Sequence, residues 1–169
     1  HLKLNKISVE NGLSFREVGE IAGLAPEERL LLEAFRSAFA GEPPRALLCL
    51  ALGEVAGDTA AHALEGFLRS LRGSARRAFW LPAPSTARVA AQERLLLDLV
   101  AATQAGHATL SAALLSWLFP TAQAQAAAVP VRLLSSALAA ADLYLPRCLP
   151  VRAQAQSFEK GARAFACVV

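Results

Sequence analysis

Runs of alanine and leucine, cut by proline and glycine at regular intervals, constrain this chain more than any single motif. "LAPEERLLLEAFRSAFAG" puts Pro26 at a first helical position. Glu27 and Glu28 follow in the first turn, where the helix dipole favours them, and Gly41 marks the stop. "PRALLCLALGEVAG" resumes after the break at Pro43 and Pro44. Asp58 is placed to cap "DTAAHALEGFLRSLRG", which ends at Gly73 with Arg69 and Arg72 in its last turns. "TARVAAQERLLLDLVAATQAG" stops at Gly106, "ATLSAALLSWLF" stops before Pro120, and "VPVRLLSSALAAADLYLP" runs from Pro130 to Pro146. The pattern predicts an all-α chain of about six helices, in an irregular bundle or a short array of helical hairpins. β-branched runs are scarce. "LKLNKISV" and "AFACVV" are the exceptions, and they suggest a small terminal β-ribbon.

A chain of 169 residues suggests one domain, large enough to bury a core without disulfides or metals. Two of its three lysines (Lys3, Lys6), both asparagines (Asn5, Asn11) and both isoleucines (Ile7, Ile21) fall near the start. Residues 1–12 therefore read as an N-terminal arm or an appended segment, 13–146 as the helical domain and 147–169 as a C-terminal tail. The opening segment lacks the apolar core of a signal peptide.

Self-similarity is visible at a longer and a shorter spacing. "ERLLLEAFRSAFAG" begins at Glu28, and "ERLLLDLVAATQAG" begins at Glu93. "ALEGFLRSLRG", beginning at Ala63, lies midway between them. At the shorter spacing, "GEIAG" from Gly19 is echoed by "GEVAG" from Gly53. A two-helix unit of about 32–34 residues would satisfy all three observations, though the segments lack the full residue pattern of any named helical-repeat family. The faces of "ERLLLDLVAATQAG" and "TLSAALLSWLF" are apolar over more than half of the circumference. Faces that wide need a central position or a partner, which favours a homo-oligomer.

Hydrophobic residues make up 54% of the chain, yet no clean run of about 20 apolar residues exists. A transmembrane segment is not expected. Cys49 in "LLCLAL" reads as a small core residue, while Cys148 and Cys167 form no C-x-x-C pattern. The odd count favours a reducing compartment, and the expectation is a cytoplasmic protein.

Charge is segregated along the chain. Residues 1–42 are net acidic, and residues 65–94 carry six arginines against Glu65 and Glu93. Arg69, Arg72, Arg76, Arg77 and Arg88 form a candidate basic contact patch around "GSARRAFWLPAP". Trp80 and Trp117 are candidate apolar contacts. Single-strand binders combine a basic groove with several stacking aromatics, but aromatics here are 7% of the chain and sit mostly at helical core spacing. The segment therefore reads as an apolar strap flanked by surface charge. Residues 63–101, "ALEGFLRSLRGSARRAFWLPAP…QERLLLDLVAA", resemble the middle of small helical proteins of alphaproteobacteria that have no assigned activity. The resemblance implies a helix, a strap and a second helix, and nothing about chemistry. "FREVGEIAGLAPEER" resembles the first helix and turn of a helix-turn-helix, but the apolar "RLLLEAFRSAFAG" after it does not suit a DNA groove.

No nucleophile stands in a recognisable pattern with a base, and no phosphate-binding glycine loop is present. No catalytic or cofactor-binding residue is assigned, and neither an enzyme nor a cofactor is expected. Asp58, His62 and Glu65 share one helical stripe with Arg69 and are the weak metal candidates. Solvated i,i+4 pairing is the simpler account of that stripe. The leading expectation is a non-enzymatic interaction or assembly module that self-associates or holds a protein partner. A nucleic-acid-associated regulator using the 69–88 arginines is the first alternative. A small-molecule or metal-binding helical protein is the second.

Overall fold

The first turn of a helix leaves its N–H groups unbonded, so Pro26, which has none, costs nothing there. In the computed structural model, which describes residues 17–146, helix α1 (Pro26–Ala40) starts at that proline. It ends at Gly41, whose φ of 94° suits glycine. Helices α2 (Arg45–Leu52), α3 (Glu54–Ser74), α4 (Ala91–Gln104), α5 (Ala108–Leu118) and α6 (Thr121–Ala140) follow. A two-stranded antiparallel ribbon joins β1 (Glu17–Glu20) to β2 (Arg88–Ala90), with Gly19 opposite Val89. The fold is therefore all-α with a small ribbon. The segments 2–9 and 164–169 named for a ribbon lie outside the described residues, as do the arm (1–12) and the tail (147–169).

Several boundaries differ from the sequence expectation: "RVA" in "TARVAAQERLLLDLVAATQAG" is strand β2, so α4 starts at Ala91, and α6 ends at Ala140, short of Pro146. "PRALLCLALGEVAG" is not one helix, because Gly53 adopts φ 83° and turns the chain between α2 and α3. Asp58 is consequently inside α3 and caps nothing. Helix α6 starts at Thr121 and passes through Pro130, since the Ala- and Gln-rich "TAQAQAAA" before the proline is itself a strong helix former. In addition, "FREVGEIAG" contributes β1 and a 3-10 turn (Ile21–Gly23), so its resemblance to a helix-turn-helix does not hold.

The longer of the two sequence spacings is structural and the shorter one is not. "ALEGFLRSLRG" lies within α3, and the two glycine pairs fall in unlike elements. The repeating unit is a strand followed by three helices, present twice: β1-α1-α2-α3 and β2-α4-α5-α6. Burial follows the duplication. Glu28, Leu31, Leu32, Ala34 and Phe35 of α1 recur at the same intervals in α4 as the buried Glu93, Leu96, Leu97, Leu99 and Val100. Ala60, Leu64, Phe67, Leu68 and Leu71 of α3 recur likewise in α6 as the buried Ala127, Val131, Leu134, Ser135 and Leu138. Equivalent elements also pack on each other, β1 on β2 and α3 on α6, as a pseudo-two-fold arrangement requires.

One core runs through both units. Phe67 of α3 lies at its centre, edge-on to Phe35 (centroids 6.5 Å apart) and to Phe119 (6.1 Å), a favoured aromatic geometry. The wide apolar face of α4 is covered within the chain, with Leu96, Leu97, Leu99 and Val100 all buried. That helix therefore needs no partner subunit. Among the described residues no helix is long and apolar enough to cross a membrane.

Candidate functional site

Polar and exposed groups gather in several regions of the described residues. The first joins the two units. Glu28 and Glu93 are each the third residue of their helix, and each accepts a hydrogen bond from the backbone N–H just before it: Ala25 to Glu28 (3.0 Å) and Ala90 to Glu93 (2.8 Å). This is half of a capping box, since alanine offers no side-chain oxygen in return. The carboxylates also reach across between units. Arg94 donates to Glu28 at 2.9 Å, and Arg36 donates through Nε to Glu93 at 2.6 Å. Arg36 also donates to the carbonyls of Thr86 and Arg88, so helix α1 holds both the strap and β2. All three side-chain nitrogens of Arg36 donate within this network.

The second region is the strap, 75–87, with its arginines. Arg72 donates to the carbonyls of Ala38 (3.1 Å) and Phe39 (2.7 Å) at the C-terminus of α1, and its guanidinium lies 4.9 Å from the Phe39 ring centre. Arg76 donates to the carbonyls of Ser116 (3.1 Å) and Phe119 (2.8 Å) at the end of α5, and Arg77 lies over Trp117 at 5.7 Å. Helix C-termini leave carbonyls unbonded and carry partial negative charge, so cations are stabilised there. Arg69 is exposed on α3, and Arg88 is exposed on β2. Phe79 packs edge-on to Phe39 at 6.5 Å, and Leu81 is buried, so the strap is pinned by apolar contacts as well. Trp80 and Trp117 are each about half exposed. Of the five arginines, Arg72 and Arg76 fasten helix ends.

The third region is the Asp58–His62–Glu65 stripe. Asp58 accepts from Arg45 Nε at 2.6 Å, while Arg45 Nη2 donates to Glu54 at 2.9 Å. The Arg45 hydrogen bond holds the Asp58 carboxyl below its usual range, and the nearby His62 lowers it further against an opposing effect of desolvation. His62 Nδ1 lies 2.9 Å from the Asp58 carbonyl, and its side chain is 73% exposed. Among the described residues no three His, Cys, Asp or Glu side chains are grouped to hold a metal ion. Cys49 is free and half-buried, with Sγ 3.7 Å from the Glu54 carbonyl.

The fourth region was not legible as a site in the sequence. Leu50 on α2 is 88% exposed and Val55 at the start of α3 is 83% exposed. Leu133 on α6, half exposed, shares with Val55 a shallow groove of about 560 Å³. Leu48 and Leu52 form the buried stripe of α2, which leaves Leu50 on the opposite side. That offset was readable in "RALLCLAL", where leucine occupies both faces.

This arrangement defines a class by architecture alone: a duplicated unit of one strand and three helices, joined by a reciprocal carboxylate–arginine network. No protein-family model matches the chain, and no curated protein or solved structure matches it significantly.

Proposed function

We propose that the protein is a non-enzymatic interaction module that self-associates, and that it works in the cytoplasm. The observation that carries the reading is the exposure of Leu50 and Val55, with Val55 and the half-exposed Leu133 lining one shallow apolar groove. Large apolar side chains more than four-fifths exposed, one of them in an apolar groove, support an association surface. The rim favours a second copy as the occupant. Arg45 lies beside Glu54 and Asp58, so both signs of charge flank the face. An isologous contact presents both signs of charge from each copy, so opposite charges can be matched across it. The nucleic-acid reading has less support, because Arg72 and Arg76 are committed to backbone carbonyls.

The test is size-exclusion chromatography with light scattering, following the 260/280 nm absorbance ratio across the peak. A nucleic-acid-free dimer or larger assembly that Leu50→Asp converts to monomer supports the reading. A monomer at every concentration overturns it. A peak rich in 260 nm absorbance that high salt strips away replaces it with nucleic-acid binding through the arginines.

A further inference from the structure

The two units are equivalent in plan but not in filling. In the first, Phe39 at the end of α1 is covered by Arg72 and Phe79, and Leu68 of α3 is fully buried. The corresponding positions of the second unit are Gln104 at the end of α4 and Ser135 of α6. A phenylalanine has become an amide and a leucine a hydroxyl. Gln104 and Ser135 both line a cleft of about 470 Å³ between α5 and α6, to which the end of α4 also contributes. That volume is in the range of small-molecule sites.

Ser135 is the independent sign that the cleft is built for an occupant. It lines the cleft and is 4% exposed, and its Oγ has no hydrogen-bond partner. A serine in a helix usually satisfies itself on the carbonyl four residues back, as Ser70 does on Gly66 at 3.2 Å. A buried hydroxyl without a partner is costly, and a core position gains nothing from one. The remaining wall is chemically simple. Ala112, Leu115 and Val131 are apolar, while Thr103 and Ser111 hydroxyls bond each other at 3.1 Å. Gln104 is held in place, donating to the Leu143 carbonyl and accepting from the Leu145 N–H. Arg132 stands exposed on α6 at the rim.

We propose that this cleft is a binding site for a small amphiphile with an apolar body and an anionic, carboxylate-like end. The body lies against Ala112, Leu115 and Val131, and the Ser135 hydroxyl and the Arg132 guanidinium, one helical turn apart on α6, both meet the charged end. Neither Leu50 nor Val55 lines the cleft, so the site does not depend on self-association.

Octanoate, titrated calorimetrically into the full chain, is the probe, with octylamine as its cationic counterpart. Octanoate is expected to bind one per chain and more tightly than octylamine. Ser135→Leu restores the residue of the first unit and fills the cleft; it is expected to abolish octanoate binding while leaving thermal stability unchanged or raised. Arg132→Gln, an exposed substitution that leaves the core intact, is expected to weaken octanoate about tenfold and octylamine not at all. Absence of octanoate binding at millimolar concentration, equal binding of the two probes, or binding unaffected by both substitutions would each overturn the proposal.

Discussion

Arg36 and Glu93, far apart in sequence, form an ion pair of 2.6 Å with side chains 1% and 0% exposed. The pair ties α1 of the first unit to α4 of the second. Glu93 also bonds the backbone at the start of its own helix, and Arg36 also bonds two carbonyls before that start. Few single contacts elsewhere in the described residues link as many elements.

Removing one partner leaves a buried charge uncompensated, which costs more than the pair itself contributes. Arg36→Ala is therefore expected to destabilise the fold by about 3–5 kcal/mol in urea unfolding. The double replacement Arg36→Met with Glu93→Leu is expected to cost clearly less than the two single replacements added together. A loss below about 1 kcal/mol for Arg36→Ala would show that water enters the pair.

Two glycines of α3 separate close packing from mere flexibility. A Cβ on Gly57 would stand 2.4 Å from Cys49 Cα, a backbone atom that cannot swing aside. Gly57→Ala is expected to cost at least about 1–3 kcal/mol and to push α2 away from α3. Gly73, near the helix end, has nothing within 4 Å, so Gly73→Ala is expected to be neutral or to stabilise by up to about 1 kcal/mol. Paired thermal melts check both signs.

The strap gives a local prediction. Arg76→Ala removes the donors to Ser116 and Phe119 but touches no core packing of α3. Global stability is expected to fall by only about 1 kcal/mol. Amide exchange at the end of α5 and along the strap is expected to accelerate, while α3 remains protected.

The Asp58 carboxyl, held low by Arg45, has a defined pH signature. A folded value below the unfolded one of about 3.9 means that its contribution is present above that pH. It is lost as pH falls through the folded value. Both side chains are well exposed, so the effect on unfolding is expected to be slight. The measurable quantity is the carboxyl titration itself: Arg45→Gln is expected to raise the Asp58 midpoint in a carbon-detected NMR titration.

Local chemistry made the helices readable and left the contacts between them unreadable. Pro26, Gly41 and Gly106 mark element ends through their own φ preferences, and no tertiary information is needed to see them. Pro130 misleads for the same reason: a helix-breaking residue is tolerated within α6, where it lies close to Gly66 of α3. The echo of "ERLLL" between Glu28 and Glu93 was visible, but its meaning depended on which residues are buried. Glu93 and Arg36 look like surface charges in sequence because nothing local shows that they face each other. The cleft was equally hidden, since its lining comes from three separate helices.

Self-association through Leu50 and Val55 is the claim on which the functional reading rests. Sedimentation velocity over a wide concentration range tests it most directly, with wild type and the Leu50→Asp/Val55→Asp variant compared at equal stability. The expected result is a sedimentation coefficient that rises with concentration for the wild type and stays at the monomer value for the variant. A wild type that remains monomeric throughout, or a variant that associates as the wild type does, would contradict it.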